Sequence, residues 1–245
     1  MYIDNLVLEV TRQCNLKCAH CLRGPAQRLK MTPDILTRAA AGNHICTVTF
    51  TGGEPSLACD VIEEFINLVK WRGTTFSHFY VVTNAKTRNG FKRFLDLLDD
   101  LYGRADEQVA CSLVVSQDQY HQNEHKINLW KLRNEYDEYP PYFYDNQRRD
   151  RLYNLVNEGR AHENQLSGRD PEQQKPWQCR ESDGELQVTD EVLYVAANGN
   201  VVSSCDMSFR RIDRESKGNV LQTPLEDIVR SYCVMEQEES VAVTA

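Results

Sequence analysis

The sequence predicts an α/β fold organised on a parallel sheet. Short apolar runs alternate with stretches of helical periodicity through the first half of the chain, as successive βαβ units do. The length, 245 residues, suits one such domain or one domain with a small appendage. Towards the C-terminus the rhythm changes, and two apolar runs flank Asn198-Gly199-Asn200, a hairpin signal.

Residues 2–10 read as a first strand whose Leu, Val and Ile content suits burial on both faces. Thr11-Arg12-Gln13 opens a loop. Thr32-Pro33-Asp34 then predicts a helix start, with Thr32 as N-cap and Pro33 at the first helical position. Cys46 to Thr51 is the second strand, and Cys59 to Trp71 has helical spacing at Val61, Ile62, Phe65, Ile66, Leu68 and Val69. Phe79 to Thr83 is the third strand, Phe91 to Leu101 the next helix, and Val109 to Ser116 the fourth strand. Residues 118–185 are polar and break the alternation; they read either as degraded strand–helix units or as a lid. Within them, Leu152 to Glu158 predicts a short helix ended by Gly159, and Ser167 to Lys175 a turn-rich linker. Val192–Ala196 and Val201–Ser204 form the predicted hairpin, followed by Gly218–Leu221 and a helix over Pro224–Tyr232.

Composition narrows the function. No apolar run approaches the ~20 residues that span a bilayer, and residues 1–10 lack a basic n-region and a small-residue cleavage site, so neither a membrane span nor a signal peptide is expected. Nine cysteines, an odd number with three in metal-ligand spacing, fit reduced thiols and a cytoplasmic location better than disulfides. With 28 Lys+Arg against 36 Asp+Glu, the net charge is −8. The short basic groups Arg148-Arg149 with Arg151, and Arg210-Arg211 with Arg214, are interspersed with acids. A polynucleotide partner, which needs a basic patch, is disfavoured.

The chemistry is concentrated in two stretches. Cys14, Cys18 and Cys21 form CxxxCxxC directly after the first strand, at the end where barrel loops converge on a site. Three thiolates can hold three irons of a cubane cluster and leave the fourth open to a ligand. A zinc knuckle or plain buried cysteines are the alternatives. Zinc would want a fourth Cys or His, and His20, between Cys18 and Cys21, is badly placed for it. The second stretch, Gly52-Gly53-Glu54-Pro55, follows the second strand without a GxGxxG pattern. Its glycines allow close approach of backbone to a ligand, and its carboxylate can pair with an ammonium group; a structural turn is the bland reading.

This pairing of CxxxCxxC with GGEP resembles the radical S-adenosylmethionine (SAM) superfamily, specifically over residues 6–56. The resemblance implies a partial (β/α)6 TIM-like barrel over residues 1–185, with 118–185 irregular or lid-like, and a small C-terminal α+β, twitch-like extension over 186–245. It implies a [4Fe–4S] cluster on Cys14, Cys18 and Cys21, SAM on the open iron, oxygen sensitivity, and a one-electron reductant such as flavodoxin or ferredoxin. Reductive cleavage of SAM would give a 5′-deoxyadenosyl radical that abstracts hydrogen from a peptide or small-molecule substrate. Modification of a nucleotide or nucleic-acid base, or a non-catalytic iron–sulfur or zinc scaffold, are the competing functions.

By the same resemblance His20 packs beside the adenine, and the strip Gly52, Gly53, Glu54, Pro55 binds the amino group of SAM. Thr83-Asn84 stands at the family's TNG, and Ser116 with Asp118 at its strand-end SxD. Ordinary strand-capping polar residues are the alternative for these last four. Tyr120 and His121 could face substrate or belong to a surface loop. Cys179, Cys205 and Cys233 could ligate an auxiliary cluster or be independent thiols. Cys46, Cys59 and Cys111 read as core residues.

Overall fold

The computed structural model describes residues 1–86, 91–116, 141–144, 155–166 and 168–236. Three strand–helix units open the chain: β1 (Tyr2–Thr11), α1 (Pro33–Ala40), β2 (His44–Gly52), α2 (Cys59–Trp71), β3 (Thr75–Thr83) and α3 (Phe91–Tyr102). β4 (Ser112–Val115) and β5 (Phe143–Tyr144) follow, then the short α4 (Gly159–Glu163). The C-terminal part comprises β6 (Trp177–Ser182), β7 (Glu185–Val195), β8 (Asn200–Val202), α5 (Phe209–Arg214), β9 (Gly218–Asn219), α6 (Leu225–Ser231) and β10 (Cys233–Met235).

These elements form one sheet in the order β10-β6-β7-β1-β2-β3-β4-β5, with β8 and β9 paired beyond β7. β7, β1, β2, β3, β4 and β5 are mutually parallel. The fold is therefore α/β with a mostly parallel sheet, consistent with a partial barrel. Residues on both sides of the expected boundary at 185/186 share this sheet, because β7 pairs with β1 as Leu6↔Leu193 and Val7↔Tyr194.

Strand alternation separates two faces. Leu6, Leu8 and Val10 on β1, Val48 and Phe50 on β2, Phe79 and Val81 on β3, and Leu113 on β4 are buried in a single apolar core. The buried stripes of α1, α2 and α3 close over it. Phe50 meets Phe65 of α2 edge-on at 5.2 Å. Register places Asn5, Val7 and Glu9 beside Thr47, Thr49 and Thr51 on the opposite face, where His78 and Tyr80 continue the row. Among the described residues no helix is long and apolar enough to cross a membrane.

Most predicted elements are present with shifted ends. Thr32 caps α1 and accepts from the Ile35 amide at 3.4 Å, with Pro33 at the first turn. β4 begins at Ser112 rather than Val109, because Gln108–Ala110 forms a 3-10 turn that leaves Val109 exposed. Residues 155–158, the described part of the helix expected over Leu152–Glu158, are not helical, and a short helix begins at Gly159. β6 and the first half of β7 were not expected, yet their turn, Asp183-Gly184, has positive φ at both positions, as a two-residue primed turn requires. Tyr120, His121 and residues 152–154 of the expected 152–158 helix lie outside the described residues.

Candidate metal and cofactor site

Cys14, Cys18 and Cys21 occupy the loop that leaves the C-terminal end of β1, all half-buried. The loop is internally turned, with the Cys21 amide donating to Cys18 O at 3.3 Å and the Gly24 amide to Cys21 O at 3.3 Å. The Leu16 amide donates to Cys14 Sγ at 3.4 Å. Burial pushes the Cys14 thiol up to about 11, and the nearby Glu54, Cys18 and Cys21 push in the same direction. That mutual repulsion is what a cationic metal centre bound to thiolates would relieve. Soft thiolates on one tight loop fit an iron–sulfur cluster in donor chemistry. Among the described residues no three His, Cys, Asp or Glu side chains converge as they would on a single metal ion.

The GGEP strip lies directly against the stem of this loop. The Gly53 amide donates to Thr11 O at 2.8 Å and the Glu54 amide to Gln13 O at 2.8 Å. A Cβ on Gly52 would sit 1.9 Å from Thr11 O, and one on Gly53 would sit 2.1 Å from Gln13 O. The close approach that requires glycine here is thus to the chain's own backbone, next to Cys14. Pro55 follows, buried, and opens a single 3-10 turn.

Glu54 is buried and its carboxylate is a tie between strands. Oε1 accepts from Thr83 Oγ1 at 2.5 Å and from the Ser56 amide at 3.1 Å, while Oε2 accepts from the Asn84 amide at 2.8 Å. Burial raises its pKa, and these three donors oppose the rise. Asn84 continues the chain of contacts, donating from Nδ2 to Asn15 Oδ1 at 2.9 Å and to Cys14 Sγ at 3.9 Å. Thr83 and Asn84, both buried, therefore stand at the cysteine loop. Ser116 lies one strand further, its amide donating to Thr83 O at 2.9 Å. His20 is half-buried within the loop, and Asp118 lies outside the described residues.

The three C-terminal cysteines are carried by β6, β10 and the loop after β8. Cys179 on β6 is buried beside Cys233 on β10, and burial followed by that neighbour pushes its thiol up to about 12. Cys179 pairs with Val188 of β7, whereas β8 pairs with Tyr194, six residues further along the strand. Cys205 follows β8, on the loop that leads to α5. It stands near Arg23 and Asp206. Cys111 is buried, as expected; Cys46 and Cys59 are half-buried.

Sequence reasoning missed the supports behind the loop. Glu9, wholly buried, accepts from Tyr194 Oη at 2.7 Å, from the Ala197 amide at 3.0 Å and from Arg12 Nε at 2.6 Å. The Arg160 amide donates to Cys21 O at 2.9 Å, and Asn164 Nδ2 to Ala19 O at 2.9 Å, so α4 rests on the loop. A carboxylate inside the apolar run Leu6–Val10 was the available signal for Glu9. Nothing local to residues 155–166 pointed to Cys21.

No protein-family model matches the chain. Over 68 residues it is 35% identical to a GTP 3′,8-cyclase of Moorella thermoacetica, a stretch that is 24% of this chain and 21% of that enzyme. The chain thus matches about a fifth of that relative's length. Among solved structures, native anSMEcpe with bound AdoMet and Cp18Cys peptide is 14% identical, with a TM-score of 0.42 over 95% of this chain and 83% of that one. Streptococcus suis SuiB bound to precursor peptide SuiA is also 14% identical, with a TM-score of 0.33 over 93% and 64%. At these scores the structural likenesses carry no functional weight. The chain thus carries its cysteine signature and GGEP strip at the carboxyl ends of its first two parallel strands, and over 68 residues it is similar in sequence to a GTP 3′,8-cyclase.

Proposed function

We propose that this chain is a radical SAM enzyme in which Cys14, Cys18 and Cys21 hold a [4Fe–4S] cluster. A cluster held by these three thiolates would supply the one-electron chemistry for reductive cleavage of SAM, the source of hydrogen abstraction from substrate. The observation that carries this reading is the join between the two motifs. Residues 52–54 are hydrogen-bonded to the stem of the cysteine loop, and Asn84 ties that loop to the end of β3. A ligand on an open iron would therefore meet the GGEP strip and the ends of β2 and β3.

In this reading Glu54 acts mainly as a positioning residue. Its oxygens already accept three donors, so it fixes Thr83, Asn84 and Ser56 around the cofactor. His20, Gly52, Gly53, Pro55 and Ser116 line the same end, with His20 offering a flat ring to adenine. A one-electron reductant such as flavodoxin or ferredoxin would complete the system. The substrate is a peptide or small molecule. The sequence shared with a GTP 3′,8-cyclase keeps a free nucleotide as the second substrate class, and that class needs no basic groove.

The test is iron, sulfide and 5′-deoxyadenosine measured on anaerobically purified protein. About four irons per chain and uncoupled 5′-deoxyadenosine formation after reduction are expected. Cys18→Ala should abolish SAM cleavage, and cleavage retained in that variant would refute the assignment. Isothermal titration with GTP against a panel of short peptides separates the two substrate classes.

A further inference from the structure

Arg12 stands two residues before Cys14 and is buried, yet its charge is neutralised mostly from far along the chain. Nε donates to Glu9 Oε1 at 2.6 Å, and Nη1 to Gln27 Oε1 at 3.1 Å. Nη1 and Nη2 together grip Asp213 of α5, each at 2.8 Å, across 201 residues of sequence. The guanidinium also lies 4.8 Å from the ring centre of Phe209. A bidentate carboxylate is the strongest and most directional partner available to a buried arginine.

The backbone of Arg12 is equally committed. Its amide donates to Leu29 O at 2.9 Å and its carbonyl accepts from the Gln27 amide at 3.0 Å, while Met31 donates to Val10 O at 3.0 Å. Arg12 therefore closes the neck of the loop that carries all three cysteines. Asp213 is itself oriented by the β7–β8 turn, accepting from Asn198 Nδ2 at 2.8 Å and lying 3.5 Å from Asn200 Nδ2. Removing it would leave Glu9 to balance the Arg12 charge, while Glu9 is already shared with Tyr194 and Ala197.

We propose that Asp213 is a positioning residue for the cysteine loop: its bidentate hold on Arg12 closes the loop's neck, so that metal loading at the N-terminal motif depends on a C-terminal helix. The loop's purpose rests on the radical SAM reading; the hold itself does not.

Hydrogen exchange on the full-length, anaerobically purified protein, read peptide by peptide with iron content measured in parallel, tests this. In Asp213→Ala, peptides covering residues 12–31 should exchange about ten-fold faster than in wild type, the order expected when a charge-assisted pair is lost. Peptides from β2 and β3 should be unchanged, and iron per chain should fall. Unchanged exchange over 12–31 overturns the proposal. Uniformly faster exchange through the sheet also overturns it, since Asp213 would then support the whole fold rather than the loop.

Should Asp213→Ala fail to fold, Asp213→Asn decides, because it keeps the side-chain shape and one acceptor for Arg12. The same selective acceleration, smaller in size, is expected, and its absence or a global change again refutes the idea. An iron-free wild type would sink the radical SAM reading while leaving the exchange comparison valid.

Discussion

Glu54 shows how a motif residue can serve a function by holding its neighbours. From sequence it is a carboxylate free to meet an ammonium group; in the fold, three donors from two segments already occupy it. Glu54→Ala would leave the Thr83 hydroxyl and the Ser56 and Asn84 amides without their partner, at a cost of about 1–3 kcal/mol for each that stays unsatisfied. Glu54→Gln keeps one acceptor oxygen and removes a charge that burial disfavours, so its cost should be distinctly smaller. Urea denaturation of both variants measures the difference, and equal losses would show that the carboxylate is no tie. Neither variant should lose iron from the three thiolates, whereas SAM affinity should fall in both.

The short α4 makes the same point for an element. Its first residue, Gly159, has φ +55, and a Cβ there would lie 2.3 Å from Leu22 O and 2.6 Å from Cys21 O. Glycine is required both by the backbone conformation and by the packing of α4 on the cysteine loop. Gly73, with φ +71 and nothing within 4 Å of where its Cβ would stand, has only the first requirement. Left-handed backbone alone costs a non-glycine residue about 1–3 kcal/mol. Gly159→Ala should therefore destabilise the protein clearly more than Gly73→Ala in paired thermal melts. Equal shifts would mean that α4 can move off the loop at no cost. Glycine usually marks the end of a helix, but here the left-handed backbone at Gly159 and its close packing on the cysteine loop place it at the start of one.

At the scale of the molecule, the C-terminal part completes the sheet begun at the N-terminus. β7 covers the edge of β1 from Tyr2 to Leu8, and Tyr194, Ala197 and Asp213 supply partners to Glu9 and Arg12. A chain ending at residue 184 would expose an apolar parallel edge and two buried charges. It should aggregate or be degraded rapidly in limited proteolysis, since such an edge is a template for further pairing. A monomeric, protease-resistant fragment would instead establish two independent units divided near residue 186.

The sequence by itself determined the donor set and its spacing, Cys14, Cys18 and Cys21 followed by Gly52 to Pro55. It also determined the strand and helix identity of the first three units. These are local properties, written in residue type and in periods of two and 3.6. Even β6 carries a local signal, in its Asp183-Gly184 turn. Only the tertiary structure decided that Glu54 ties β2 to β3, that Cys179 lies beside Cys233, and that Arg12 is held by Asp213. The Glu54 and Arg12 outcomes depend on buried charges finding partners 29 to 201 residues away. No local pattern encodes such a pairing, because its energy comes from desolvation and geometry that exist only once the sheet has closed.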